Sequence, residues 1–397
     1  MEIIPENEIH ERIARFQSIL SKKNLDGALL MQNVDIYYFS GTLQSSILFI
    51  PREGNPLFMS LKNKERARAE SPIRNIISLN GKKKVAETLK DFGYKKFHKL
   101  GIEMDVLPTN LYLWLNQHLK TDLWENISSD ILRLRMIKSD YEIDQFKKAS
   151  QILRTGFLEI QEFIQTGMTE LEVDGRLANI ARREGHMGIL RMRGWNQEIT
   201  YAHVLSGESG AIPTFLNSPH GGAGNTPAMA QGAGFRKIKE NEPIGIDFGV
   251  AVNGYIGDQF RTYVAGNLSK KLEKAHECSK DILETLSREA KPGTKCPDLF
   301  EIARKIAEQE GLEKYFMGHG ESQAKFVGHG IGLEIDEYPV ITPGFDIALK
   351  ESMVMAIEPK FVFPGEGVVG LEDDYIVTDS GLERITLTDQ KIMQVAK

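Results

Sequence analysis

Two cysteines, Cys278 and Cys296, are all that this 397-residue sequence contains. That is no disulfide framework, and it suits a reducing compartment. A surplus of positive charge is also missing: 49 Lys and Arg stand against 55 Asp and Glu, a net charge of −6. With no basic run to act as a footprint, no nucleic-acid partner is expected. Long apolar runs are absent too, and the acidic start Met1-Glu2-Ile3-Ile4-Pro5-Glu6 has no apolar signal core, so no membrane partner is expected and a cytoplasmic location is.

What is present points to two domains. At 41% hydrophobic and 26% charged residues, the chain is long enough to bury two separate cores. Residues 25–31 and 46–50 read as strands and residues 8–22 and 82–92 as helices, giving a smaller mixed α/β domain over 1–135. The second domain, 136–397, opens on a capping box at Ser139-Asp140-Tyr141-Glu142. Ile143, Phe146, Leu153, Phe157 and Ile160 then fall on one helical face. Residues 165–185 are echoed by residues 291–311, which align Gly167 with Gly293 and Gly185 with Gly311. Two similar αβ halves facing each other would place a site in the cleft between them.

The chemistry lies in that second domain, in Asp247, Asp258, His329, Glu358 and Glu372. Four carboxylates and an imidazole suit two divalent ions sharing a water, because carboxylate oxygens bridge cations and cancel their charge. Asp247 and Asp258 flank Asn253-Gly254, a strong hairpin signal, and are expected to face each other across it. Glu358 and Glu372 are centred in the same way on Gly365 and predict a second carboxylate pair. His329 lies in Gly328-His329-Gly330-Ile331-Gly332, where glycines permit close backbone approach. Acids inside apolar strands are costly to bury unpaired, so the pattern calls for a cation.

These segments, with Gly257-Asp258-Gln259-Phe260-Arg261-Thr262 and Met355-Ala356-Ile357-Glu358-Pro359, resemble the ligand motifs of the pita-bread metallohydrolases. The upstream domain resembles the N-terminal domain of prolidase and creatinase. The resemblance implies an α+β fold, with a C-terminal pita-bread domain of two pseudo-symmetric αβ halves. It also implies a dinuclear hydrolase closest to an Xaa-Pro aminopeptidase or dipeptidase, acting on a short peptide or small molecule as a homodimer with Mn, Co, Zn or Fe. Glu358 would be both ligand and proton acceptor. Arg261 and Thr262 either orient the aspartates or are ordinary surface after a strand.

The chain departs from the family pattern in several places. Where Xaa-Pro peptidases carry a second histidine shortly after the first, this chain has Asp336, an anion in place of a proton donor. Lys325 stands where a further histidine is common, and Gly370 where an arginine is. Pro219-His220-Gly221 keeps the Pro-His segment within a glycine-rich insertion, leaving His220 as a substrate contact or a loop residue, and His319 is a candidate substitute for the lost upstream histidine. Two alternatives therefore stay open, a hydrolase of a non-peptide C–N bond in a small cyclic or guanidino amide and an inactive binding protein on the same scaffold.

Overall fold

The computed structural model describes residues 2–397. One compact unit runs through Arg135 and a second spans Met136–Lys397. The first is built on a six-stranded mixed sheet of β1 (Gly27–Leu30), β2 (Ser46–Pro51), β3 (Leu57–Ser60), β4 (Asn75–Ser78), β5 (Phe97–Ile102) and β6 (Thr121–Asn126), in the order β4-β3-β2-β1-β5-β6. Helix Glu6–Lys22 buries Ile9, Ile13, Phe16 and Leu20, the heptad-like stripe of an amphipathic helix. A fully buried ion pair, Arg135 Nη1 to Asp35 Oδ1 at 2.8 Å, lies in the same unit.

In the second unit the Ser139 capping box forms as its sequence requires: the hydroxyl accepts from the Glu142 amide, and the Glu142 carboxylate accepts from the Ser139 amide. Helix Asp140–Phe163 then buries Phe146, Leu153, Phe157 and Ile160. With helix Glu170–Glu184 it packs on a four-stranded sheet of β7 (Ala202–Ser206), β8 (Ile244–Val252), β9 (Tyr255–Val264) and the short C-terminal β17 (Met393–Gln394).

The other half repeats the plan. Helices Lys270–Glu289 and Cys296–Gln309 share a core with a sheet ordered β11-β10-β12-β15-β16. Its strands are β10 (Gly328–Gly330), β11 (Glu337–Val340), β12 (Val354–Ile357), β15 (Asp373–Thr378) and β16 (Gly381–Arg384). Between β12 and β15 the chain leaves the sheet as a two-stranded ribbon, β13 (Lys360–Phe363) and β14 (Gly367–Gly370). The echoed segments match in detail. Gly167 and Gly293 both turn the chain at φ 88° and 97°, and the amide of each donates to a backbone carbonyl, of Ile238 and Leu349 respectively. The expected α+β pair of similar halves is what the chain builds. Among the described residues, no helix is long and apolar enough to cross a membrane.

One contact ties helix packing to the site. Gly156 lies against the Phe248 ring, and a Cβ at that position would come within 2.5 Å of it. Phe248 follows Asp247 on β8 and is fully buried edge-on to Phe157, with ring centroids 5.9 Å apart. Gly156→Leu is expected to cost about 1–3 kcal/mol through overpacking. Scanning calorimetry should register a lowered Tm, and an unchanged Tm would mean that the helix has room to shift.

Candidate metal centre

The first carboxylate pair is set by turn chemistry. Asn253 and Gly254 both take positive φ, 48° and 93°, and close the hairpin with Val252 opposite Tyr255. That register sets Asp247 across from Phe260 and Asp258 across from Gly249. The two aspartates are therefore diagonal neighbours rather than directly opposite, a correction to the expected pairing. A shift of two residues keeps both on one face, whereas a shift of one would have sent them to opposite faces.

The glutamates occupy a break in pairing. Ribbon pair Lys360↔Gly370 and sheet pair Ile357↔Asp373 belong to one continuing register, and Glu358 and Glu372 sit in the interruption between them. There the Glu358 amide donates to the Val327 carbonyl at 2.9 Å, while Glu372 bridges to Phe260 of β9. This bridge joins the two sheets at the cluster.

His329 is placed by crowding of the backbone around β10. It pairs with Ala356 on one side and Val340 on the other, with a register irregularity at His329/Gly330 that re-aims the strand. A Cβ at Gly330 would lie 2.1 Å from the Tyr338 carbonyl oxygen, so glycine is required there. His329 Nδ1 is 3.1 Å from the Gly330 carbonyl oxygen, while Nε2 is 3.6 Å from Glu358 Oε1.

Asp258, His329 and Glu372 each offer a ligand atom within 4.8 Å of the others, and all three are buried. Burial, together with neighbouring carboxylates, pushes Asp258 and Glu372 well above the usual carboxylate range. A divalent cation between them and His329 would relieve that penalty, so the donor set fits a metal ion.

Lys360 is the residue that the sequence reading missed. It is fully buried, and its Nζ donates to Asp247 Oδ2 at 3.0 Å, Glu358 Oε2 at 2.8 Å and Glu372 Oε2 at 2.6 Å. Burial alone would lower the pKa of its ammonium, but the three carboxylates override this and hold it well above the ordinary lysine range. Asp247 is the converse case: burial raises it, and Lys360 with His220 drives it far below. A signal existed in the sequence, since Glu358 and Lys360 are two residues apart and strand side chains repeat with period two.

The remaining candidates divide. His220 is buried with Nε2 3.0 Å from Asp247 Oδ2, so it belongs to the cluster. His203, also overlooked, pairs with Asp247 across β7 and β8; burial pushes its pKa down to about 4, leaving it neutral. Asp336 is half exposed at the cavity wall, with Oδ1 3.5 Å from His329 Nδ1. Arg261 and Thr262 do not reach Asp247 or Asp258. Arg261 instead holds the Glu372 carbonyl and the Asp373 carboxylate, and Thr262 holds the backbone of Gly370. Their reach is set by β9, where they follow Phe260, the residue bridged to Glu372. His319 is engaged by the Ala211 carbonyl, and Lys325 is exposed.

With this geometry in view, the likenesses to known proteins are informative. The model of metallopeptidase family M24 matches residues 144–379, and that of the creatinase/prolidase N-terminal domain matches residues 12–137. The chain belongs to metallopeptidase family M24. It is 27% identical to the Xaa-Pro dipeptidase of Pyrococcus furiosus over 385 residues, which is 96% of this chain and 99% of that one. It is 26% identical to the Xaa-Pro dipeptidase of Lactobacillus delbrueckii subsp. lactis, covering 95% and 97%. The solved Xaa-Pro dipeptidase from Bacillus anthracis superimposes with a TM-score of 0.83 at 27% identity, covering 98% of this chain and all of that one. The P. furiosus prolidase gives 0.78 at 26% identity, covering 94% and 99%. The metallohydrolase class expected from the motifs is thus the class of the family.

If Asp258 and Glu372 hold an ion, Asp258→Ala and Glu372→Ala should each cut bound metal at least tenfold after loading with Mn²⁺, by elemental analysis. Parental metal content in both variants would remove these residues from the ligand set.

Proposed function

We propose that this chain is a metal-dependent Xaa-Pro peptidase, an aminopeptidase or dipeptidase acting on short peptides. The observation carrying this reading is the convergence of Asp258, His329, Glu372 and Glu358 on one cavity, in a chain alignable along nearly its whole length with Xaa-Pro dipeptidases. A divalent Mn, Co, Zn or Fe ion held there would supply Lewis acidity to a scissile carbonyl and to water. Glu358 is the proton acceptor in this reading: one of its oxygens is engaged by Lys360, and the other faces His329. His220, fixed against Asp247, lies beside the cavity segment Leu216-Asn217-Ser218 and suits a substrate contact. The expected second ion meets a competitor in Lys360, which already engages Asp247 and Glu372.

Asp336 distinguishes this chain within the proposal. Its carboxylate at the cavity wall places negative charge where a proton-donating histidine would assist a developing oxyanion. In a metal-loaded screen of Xaa-Pro peptides, other short peptides and small cyclic or guanidino amides, the parent should turn over Xaa-Pro substrates slowly. Asp336→His should raise that rate by about a hundredfold, and Glu358→Gln should abolish it with the fold intact. Near-parental turnover in Glu358→Gln would refute its role, and robust Xaa-Pro turnover that Asp336→His loses would show the aspartate to be a working part.

Homodimer assembly and a cytoplasmic location belong to the same proposal, supported by the end-to-end likeness to prolidases and by two buried, unpaired cysteines. Light scattering at micromolar concentration should report twice the 44.7 kDa chain mass. A fully active monomer would refute the dimer.

A further inference from the structure

We infer that the Lys360 ammonium permanently takes the place of one of two cations, so that this protein binds a single divalent ion at Asp258, His329 and Glu372. The inference rests on the reading of the cluster as a metal centre.

An ammonium has three N–H donors, and here all three are spent on carboxylates at 2.6 to 3.0 Å, the range of strong charge-assisted hydrogen bonds. A divalent ion binding the same oxygens would sit about 2.0–2.2 Å from them, in the space that Nζ fills. Two positive centres drawing on Asp247 Oδ2 and Glu372 Oε2 at once would also repel each other at close range beside buried groups. The Asp258, His329 and Glu372 group makes no such demand on Asp247, whose Oδ2 lies close to both Lys360 and His220.

The lysine is built into its place. Its backbone pairs with Gly370 in the ribbon, and a Cβ on Gly370 would lie 2.8 Å from Lys360 Cα and 3.2 Å from Cγ, so the bare glycine makes room for the stem. Gly370 is itself clamped by Thr262 through hydrogen bonds to its amide and its carbonyl, each 3.1 Å. The Phe260 ring stands 4.9 Å from the ammonium, in cation–π contact. An ammonium neutralises charge but has no open coordination position. Lys360 therefore holds Asp247, Glu358 and Glu372 together without contributing Lewis acidity.

The test counts metal in the 397-residue chain. Parent, Lys360→Ala and Lys360→Arg are expressed and purified with Mn²⁺, desalted and analysed for metal per chain, with Mn²⁺-dependent thermal stabilisation as a second readout. The parent and the arginine variant should hold about one ion each and the alanine variant about two, with a larger Mn²⁺-induced rise in Tm. Two ions in the parent, or an alanine variant that binds no more than the parent, would overturn the inference while leaving the metal centre standing. No ion in any of the three would overturn the metal centre and the inference together. An alanine variant that stays unfolded even in Mn²⁺ would also count against it, since a second divalent ion could then not replace the ammonium.

Discussion

Four carboxylates gathered in one cleft, three of them buried, repel one another, and the second unit is organised around relieving that repulsion. Asp247, Asp258, Glu358 and Glu372 are all buried or nearly so, and Lys360 is the cation that engages three of them directly. Without compensation each charge would carry a desolvation cost of several kcal/mol. Lys360 offsets part of it, and the negative charge left beside Asp258 and Glu372 suits a divalent cation.

The scaffold delivers these groups through backbone constraints rather than long side-chain reach. The two sheets meet at the Phe260↔Glu372 bridge, and each brings its acids to that seam by a tight turn, one at Asn253-Gly254 and one at Gly365. Arg261 secures the seam from behind by donating to the carbonyls of Phe260, Glu372, Thr388 and Asp389 and to the Asp373 carboxylate. It is buried completely, and its charge is balanced by Asp373. The repeated helix–turn–helix halves then give each sheet its own apolar backing, so the polar seam lies between two distinct apolar cores.

Local chemistry explains what could be read from the sequence. Positive-φ turn residues fix hairpin position, a capping box fixes a helix start, and strand alternation fixes the face. From these came the carboxylate pairs, the Ser139 helix and the duplicated halves. The direct Asp247–Asp258 pairing was misjudged by two residues because a midpoint locates a hairpin without fixing which residues close the loop. Arg261 and Thr262 were assigned to the wrong partners for a related reason: residue type identifies a donor but does not give the direction in which it points.

The sequence by itself determined the membership in a class of metallohydrolases, and it offered a donor set and a two-domain division near Arg135 as readings, because each depends on residue identity and short-range spacing. Tertiary structure alone decided that His203 and His220 converge on Asp247, that His319 is drawn away to Ala211, and that Lys360 enters the cluster. Those outcomes depend on strand register between segments distant in the chain and on the room left by a cross-strand glycine. A lysine in a short apolar strand carries no local mark of burial. Glu358, two residues upstream, and the carboxylates brought in by Asp247 of β8 and by Glu372, just before β15, hold its charge there.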